Sequence, residues 1–146
     1  MSESPANVGN GFPVNAIRVG DGIVLINVFH LDPDQAEAFV ATQVGEYKRL
    51  QGVFPGSLSA NLHLSLDRTR AVNYAHFSSV EDYLAMRASP AFAEHLERLK
   101  GLVLKAEPQL YTVAYTQNAD QPASNAPLPP LVDPSLAPHL GPVTPQ

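Results

Sequence analysis

Residues Ala71-Val-Asn-Tyr-Ala-His-Phe77 alternate with the period of a strand and run without a break into Ser78-Ser-Val-Glu-Asp-Tyr83. The second segment opens like a helix, with Ser78 and Glu81 at the spacing of a capping box. No loop separates the two, so the chain must turn from sheet to helix at the serines. That corner demands a fold in which a helix packs back over the sheet it has just left. The same run sets Asn73, His76 and Phe77 in a segment that otherwise reads as interior. A polar side chain there costs of order a few kcal/mol unless it is paired. These residues are therefore either satisfied internally or serve a site.

The remaining elements follow from local signals. Val14 to Val19 has the character of a short edge strand, closed by a turn at Gly20-Asp-Gly22. Ile23 to Leu31 is β-branched and apolar on both faces, which predicts a strand buried on both sides, interrupted by Asn27. Asp32-Pro-Asp-Gln35 predicts a helix start, with Asp32 as N-cap, Pro33 in the first turn and Gln35 closing a capping box. Ala36, Phe39, Val40, Val44 and Tyr47 continue at helical spacing to an end near Gln51-Gly52. Ser57 to Leu66 alternates, with Leu58, Ala60, Leu62 and Leu64 on one side, and returns through Asp67-Arg-Thr69 into the strand Arg70–Phe77. A helix to about Arg87, a second from Ser89-Pro90 to about Lys100, and a last strand Gln109–Thr116 after Pro108 complete the reading. The order β-α-β-β-α-β, with its second helix broken in two, is the split arrangement of a ferredoxin-like α+β fold with an antiparallel sheet.

Residues 1–19 read as an N-terminal extension, 20–117 as the folded domain and 118–146 as a tail. Eight of the fourteen prolines lie between Pro122 and Pro145. Such a tail forms neither a helix nor a central strand; it is disordered or an extended arm around a neighbour.

Composition narrows the function classes. A formal net charge of −5, with no basic patch interleaved with aromatics, argues against nucleic acid as a partner. The absence of cysteine excludes thiolate catalysis, disulfides and cysteine-based zinc sites, and is compatible with the cytoplasm. No apolar run approaches the roughly 20 residues that span a bilayer, and the N-terminus lacks the pattern of a secretory signal. Phosphate-binding glycine loops, nucleophile elbows and His-x-x-x-His helices are also missing.

What remains is scattered polarity on buried elements. Asn27 shares strand parity with Leu25 and Phe29, and Asn73 with Ala75 and Phe77. In a ferredoxin-like sheet the first and third strands are the central pair, so the two amides converge if both face the helices. An uncharged amide can donate to a carbonyl or to a developing oxyanion. His95, three after Phe92 and four before Leu99, falls at the border of a helix's apolar face, as a packing residue, a proton acceptor or a haem ligand. His76 alternates away from Asn73, toward the opposite sheet face. The acidic helix residues, Glu46 included, read as exposed or capping positions.

IVLINVFHLDPDQAEAF, FPGSLSANLHLS, AVNYAHFSSVEDYLAM and SPAFAEHL, in that order, resemble the antibiotic biosynthesis monooxygenase domains over about residues 20–116. The resemblance implies a dimeric α+β barrel, a homodimer packed through its sheet faces, each protomer with its own pocket between sheet and helices. It implies a cofactor-independent monooxygenase that oxidises an anthrone or quinol-type aromatic with O2. The alternatives within the same fold are a haem-binding or haem-degrading protein and a ligand-binding or cyclase-like scaffold. In the anthrone oxygenases an Asn, and a Trp four residues later, hold the substrate. Asn73 matches the first and Phe77 stands in place of the second, which keeps ring stacking but loses an N–H donor. Their helical Arg falls near Leu96 and is unmatched. In the haem-degrading branch Asn27 and His95 match, while Met86 occupies the place of a Trp. The expected catalytic residues are thus Asn73, Asn27 and His95. The expected substrate contacts are Phe77, Tyr83, Met86 and Phe39. No metal is expected, and haem enters only with the second reading.

Overall fold

In the computed structural model the described residues are 17–125, 127–128 and 130–131. Residues 14–16 of the expected first strand and most of the proline-rich tail lie outside this range, and Ile17 to Val19 form no strand.

The doubly apolar segment becomes β1 (Ile23–His30), the centre of the sheet. It pairs antiparallel with β3 (Arg70–Phe77) on one side and β4 (Lys105–Tyr111) on the other. β2 (Ser57–Leu64) adds outside β3, which gives the four-stranded order β2-β3-β1-β4. This is the ferredoxin-like arrangement. Helices α1 (Ala36–Leu50), α2 (Val80–Arg87) and α3 (Pro90–Leu99) supply the covering layer.

The helix starts differ in detail from the sequence reading. Asp32 caps as expected, its Oδ1 accepting from Asp34 N at 3.0 Å, but the first turn is a 3₁₀ turn over Pro33–Gln35. Gln35 closes no capping box, and α1 proper begins at Ala36. At α2 the cap moves by one residue. Ser78 N still bonds Gly56 O at 2.9 Å, which keeps Ser78 with the strands. Ser79 is therefore the N-cap, accepting from Asp82 N at 3.1 Å, while Ser78 Oγ donates to Asp82 Oδ2 at 2.6 Å. The corner has little space: Gly56 has φ +80°, and a Cβ there would fall 2.2 Å from Asp82 Oδ2. Ser89 caps α3 through Phe92 N, with Pro90 in the first turn.

The last strand is displaced most. It begins at Lys105 rather than Gln109 and takes Pro108 into its middle. The ladder tolerates this because β4 is an edge strand. The chain leaves the sheet after Tyr111 and forms a separate hairpin of β5 (Tyr115–Asn118) and β6 (Gln121–Asn125), which straddles the expected start of the tail.

The core under the helices falls into two apolar clusters. One holds Phe29, Leu31, Ala36, Phe39, Ala71, Leu99 and Ala106. The other holds Leu25, Ala75, Phe77 and Tyr83. On β1 the residue between Leu25 and Phe29 with the same parity is Asn27. On β3 the residue between Ala71 and Ala75 is Asn73. The core is thus interrupted along a single rung of the sheet.

Candidate active site

That rung is the floor of the site. Asn27 and Asn73 are direct partners in the β1–β3 register. Strand alternation sends both side chains to the helix side, with Leu25, Phe29, Ala75 and Phe77. Over them lies a cavity of about 360 Å³ between the sheet and the three helices. Among the described residues neither Asn27 Oδ1 nor Asn73 Oδ1 has a hydrogen-bond partner, although both atoms are buried. A third amide, Gln43 on α1, is 2 % exposed and also leaves its Oε1 unpartnered. All three residues line the same cavity. An unpaired buried carbonyl costs about 1–3 kcal/mol, and here the cost is concentrated where a ligand with hydroxyl donors would relieve it.

The wall is aromatic. Phe77 and Tyr83 meet edge to face, ring centroids 5.3 Å apart at 77°. The Tyr83 hydroxyl accepts from Arg87 Nη1 at 3.1 Å, and that guanidinium also lies over the Tyr83 ring at 5.8 Å. Phe54, Met86 and Phe92 line the same space. On α1, Gln43 Nε2 donates to the Tyr47 hydroxyl at 3.1 Å, and burial pushes the Tyr47 phenol up to about 12. Tyr47 is therefore a neutral hydroxyl at any working pH.

His95 enters from α3, 9 % exposed, with its ring 5.5 Å from Phe92. Its Nδ1 lies 3.2 Å from Glu46 Oε1 on α1. Glu46 is 5 % exposed and is held by Arg49 through two bonds, Nη2 to Oε1 at 2.7 Å and Nε to Oε2 at 3.0 Å. Arg98 Nη1 adds a cation 3.6 Å from Oε2. The bidentate Arg49 contact and the other cationic neighbours outweigh burial and hold the Glu46 carboxyl down to about 2. Burial lowers the His95 pKa, the adjacent carboxylate opposes that, and the guanidiniums of Arg49 and Arg98 reinforce it. The imidazole is accordingly neutral near pH 7.

Asn27, Asn73, His95, Phe77, Tyr83 and Met86 come together around one cavity; Phe39 does not. It is fully buried in the first core cluster, where its ring packs 5.0 Å from Phe29 and has no face left for a ligand. Leu96, at the place of the family's Arg, lines the cavity as an apolar residue. His76 lies on the other sheet face, its Nε2 bonded to the Asp21 carbonyl. The reading of Glu46 as exposed is overturned. The buried stripe of α1 runs Ala36, Phe39, Gln43, Glu46, an alternating three-and-four spacing whose last two members are polar. Glu46 and Gln43 were legible only by following that phase instead of the apolar residues alone, whereas Tyr47 stands in the apolar set itself. Among the described residues, no group of three or more His, Asp or Glu side chains could hold a metal, and no helix is long and apolar enough to cross a membrane.

Comparison with known proteins agrees with this fold. The chain is similar to the tetracenomycin-F1 monooxygenase of Streptomyces glaucescens, with 31% identity over 102 residues that cover 70% of this chain and 90% of that one. It superimposes on the monooxygenase from the gene ActVA-Orf6 of Streptomyces coelicolor, solved with nanaomycin D, at a TM-score of 0.58 and 31% identity, covering 70% and 93% of the two chains. It shares its fold with SnoaB, a cofactor-independent oxygenase from Streptomyces nogalater, at a TM-score of 0.51 and 22% identity over 68% and 97%. The family profile described as antibiotic biosynthesis monooxygenase matches residues 22–98, the span from β1 to the last turn of α3 that includes Asn27, Asn73, Glu46 and His95, and the chain belongs to that family.

Proposed function

We propose that the protein is a cofactor-independent monooxygenase that oxidises an anthrone or quinol-type aromatic with O2. One observation carries the reading: two facing amides with unpartnered oxygens, on the floor of an otherwise aromatic and aliphatic cavity. A hydroxylated fused-ring compound matches both parts. Its ring stacks against Phe77, and its hydroxyls satisfy the amides. The names of the two relatives at 31% identity, one a tetracenomycin-F1 monooxygenase and the other a monooxygenase bound to nanaomycin D, support the same class.

The chemistry needs no redox centre of the protein's own. The neutral His95 imidazole takes a proton from the acidic C–H or O–H of the substrate. The resulting enolate or phenolate carries its charge on oxygen, where the Asn27 and Asn73 amides present N–H donors after a half-turn about the last torsion. The anion passes one electron to O2, the two radicals combine, and the peroxide so formed loses water to leave a carbonyl. One oxygen atom enters the product and the other leaves as water. For anthrone the sum is one substrate and one O2 giving one anthraquinone and one water.

A haem fits this floor poorly. As the amides stand, its macrocycle offers no N–H or O–H donor to their oxygens, and turned over they would present N–H groups to a ring face that accepts only weakly. Haemin titration checks this, with no Soret shift dependent on His95 expected.

The domain that does this work is residues 20–117, flanked by extensions 1–19 and 118–146, acting in the cytoplasm as a homodimer. The far face of the sheet supports the dimer. By strand parity it presents Ile26, Val28, Val72 and Tyr74, which this chain leaves half-buried, beside Val24, which it already buries; a second copy would complete the cover. A monomer in sedimentation at micromolar concentration would refute it. For the reaction, oxygen uptake with anthrone in the absence of metal and flavin is the test. An Asn27→Ala, Asn73→Ala double variant should lose at least 100-fold in kcat. Unchanged turnover would remove the amides from the site.

A further inference from the structure

The Glu46–His95 pair is more than a buried ion contact. An ionised carboxylate only accepts hydrogen bonds, so the 3.2 Å contact to Glu46 Oε1 assigns the proton of a neutral His95 to Nδ1. The other nitrogen, Nε2, then carries the lone pair, on a ring that lines the cavity. Arg49 grips both oxygens of the same carboxylate, which stops it from turning away. We propose that Glu46 is a positioning residue, which locks the His95 imidazole in the Nδ1–H tautomer so that Nε2 stands ready as proton acceptor in the cavity.

The surroundings suit that role. From α1, Glu46 and Arg49 face the imidazole, and Tyr47 and Lys48 line the cavity. From α3 itself comes Arg98, and Glu94 bridges Arg49 at 3.4 Å and Arg98 at 3.6 Å from outside. From α2 come Tyr83 and Arg87. The strands contribute no titratable side chain to the lining. Among the described residues Glu46 is thus the one carboxylate in contact with His95, and none lines the cavity. An acid on the lining would compete for the substrate's proton and repel the anion formed. An acid one step behind the base fixes the tautomer and favours the imidazolium once the proton has moved.

The use of the base rests on the oxygenase reading; the tautomer does not, and the experiment separates them. In full-length protein labelled with ¹⁵N-histidine, the His95 ring is assigned by its loss in His95→Gln. Wild type should show protonated Nδ1 and unprotonated Nε2 above pH 7. Glu46→Gln should move the ring's titration to lower pH, and Arg49→Gln to higher pH, because one removes a favourable anion and the other an opposing cation. With anthrone as substrate, Glu46→Gln should lower kcat roughly 10–100-fold and leave KM within about threefold. The acid limb of its pH profile should shift downward. A role limited to fastening α1 to α3 would lower Tm and leave tautomer and limb in place. An Nε2–H tautomer in wild type, or a His95 titration that neither variant moves, overturns the proposal. If Glu46→Gln does not fold, the wild-type tautomer and Arg49→Gln decide. An Nδ1–H tautomer in a wild type that takes up no oxygen upholds the positioning role and refutes the oxygenase reading alone.

Discussion

Replacing Asn73 by leucine should stabilise the protein and abolish its chemistry. Asn73 is 8 % exposed and its Oδ1 has no partner. Removing an unpaired buried carbonyl recovers about 1–3 kcal/mol. A leucine of similar size would also join the cluster of Leu25, Ala75, Phe77 and Tyr83 to that of Phe29, Ala71 and Leu99. Part of the new side chain still faces the cavity, so the apolar gain is a fraction of the roughly 2 kcal/mol of a fully buried leucine. The expected net gain is about 1–2 kcal/mol, or a Tm raised by about 5–10 °C for a domain of this size. Urea and thermal unfolding measure the gain. Oxygen uptake with anthrone measures the loss, expected at about 100-fold or more in kcat. A variant destabilised by more than about 1 kcal/mol would refute the reasoning, because Asn73 would then be satisfied within the fold rather than held open for a ligand.

The Glu46 carboxyl, ordinarily near 4.5 and held down to about 2, contributes stability that is fully present above pH 4.5 and lost as the pH falls toward 2. Urea unfolding at pH 5.5 and pH 3 should show the drop in wild type and a flatter profile in Glu46→Gln. Gly22 has φ +75° and a Cβ there would fall 2.3 Å from Phe77 O, so Gly22→Ala should cost about 2 kcal/mol or more in thermal unfolding. Phe39→Ala should cost about 3–5 kcal/mol and leave the KM for anthrone within about threefold, since Phe39 fills the core outside the cavity. A comparable rise in KM would return Phe39 to the site.

The sheet was legible because its central strand is apolar on both faces and its hairpin has a clear turn. Asn27 and Asn73 could be paired across it from parity and a rule of the fold. The α2 cap was misread by one residue because two serines stand side by side, and only the bond from Ser78 N to Gly56 O separates them. β4 was misread because a proline normally bounds a strand, and the sequence does not say that this strand lies at the edge. Glu46 was hidden for a deeper reason. A glutamate on a helix reads as solvated, and what buries it, Arg49 from the next turn of α1 with Arg98 and His95 from α3, comes together only once α1 and α3 are packed.

Pro108 bears on how copies of this chain can meet. The β1–β4 register runs unbroken through it, opposite Asn27. A residue without an N–H can be paired in that way only where its neighbours make the ladder bonds, with its own nitrogen turned to the open side. The middle of the free β4 edge therefore offers no donor to an incoming strand. The opposite edge, β2, is broken by a register slip between Ser57 and Ser59. Neither border is a flat template on which fibres could grow. Continuous sheets across molecules are disfavoured from both sides.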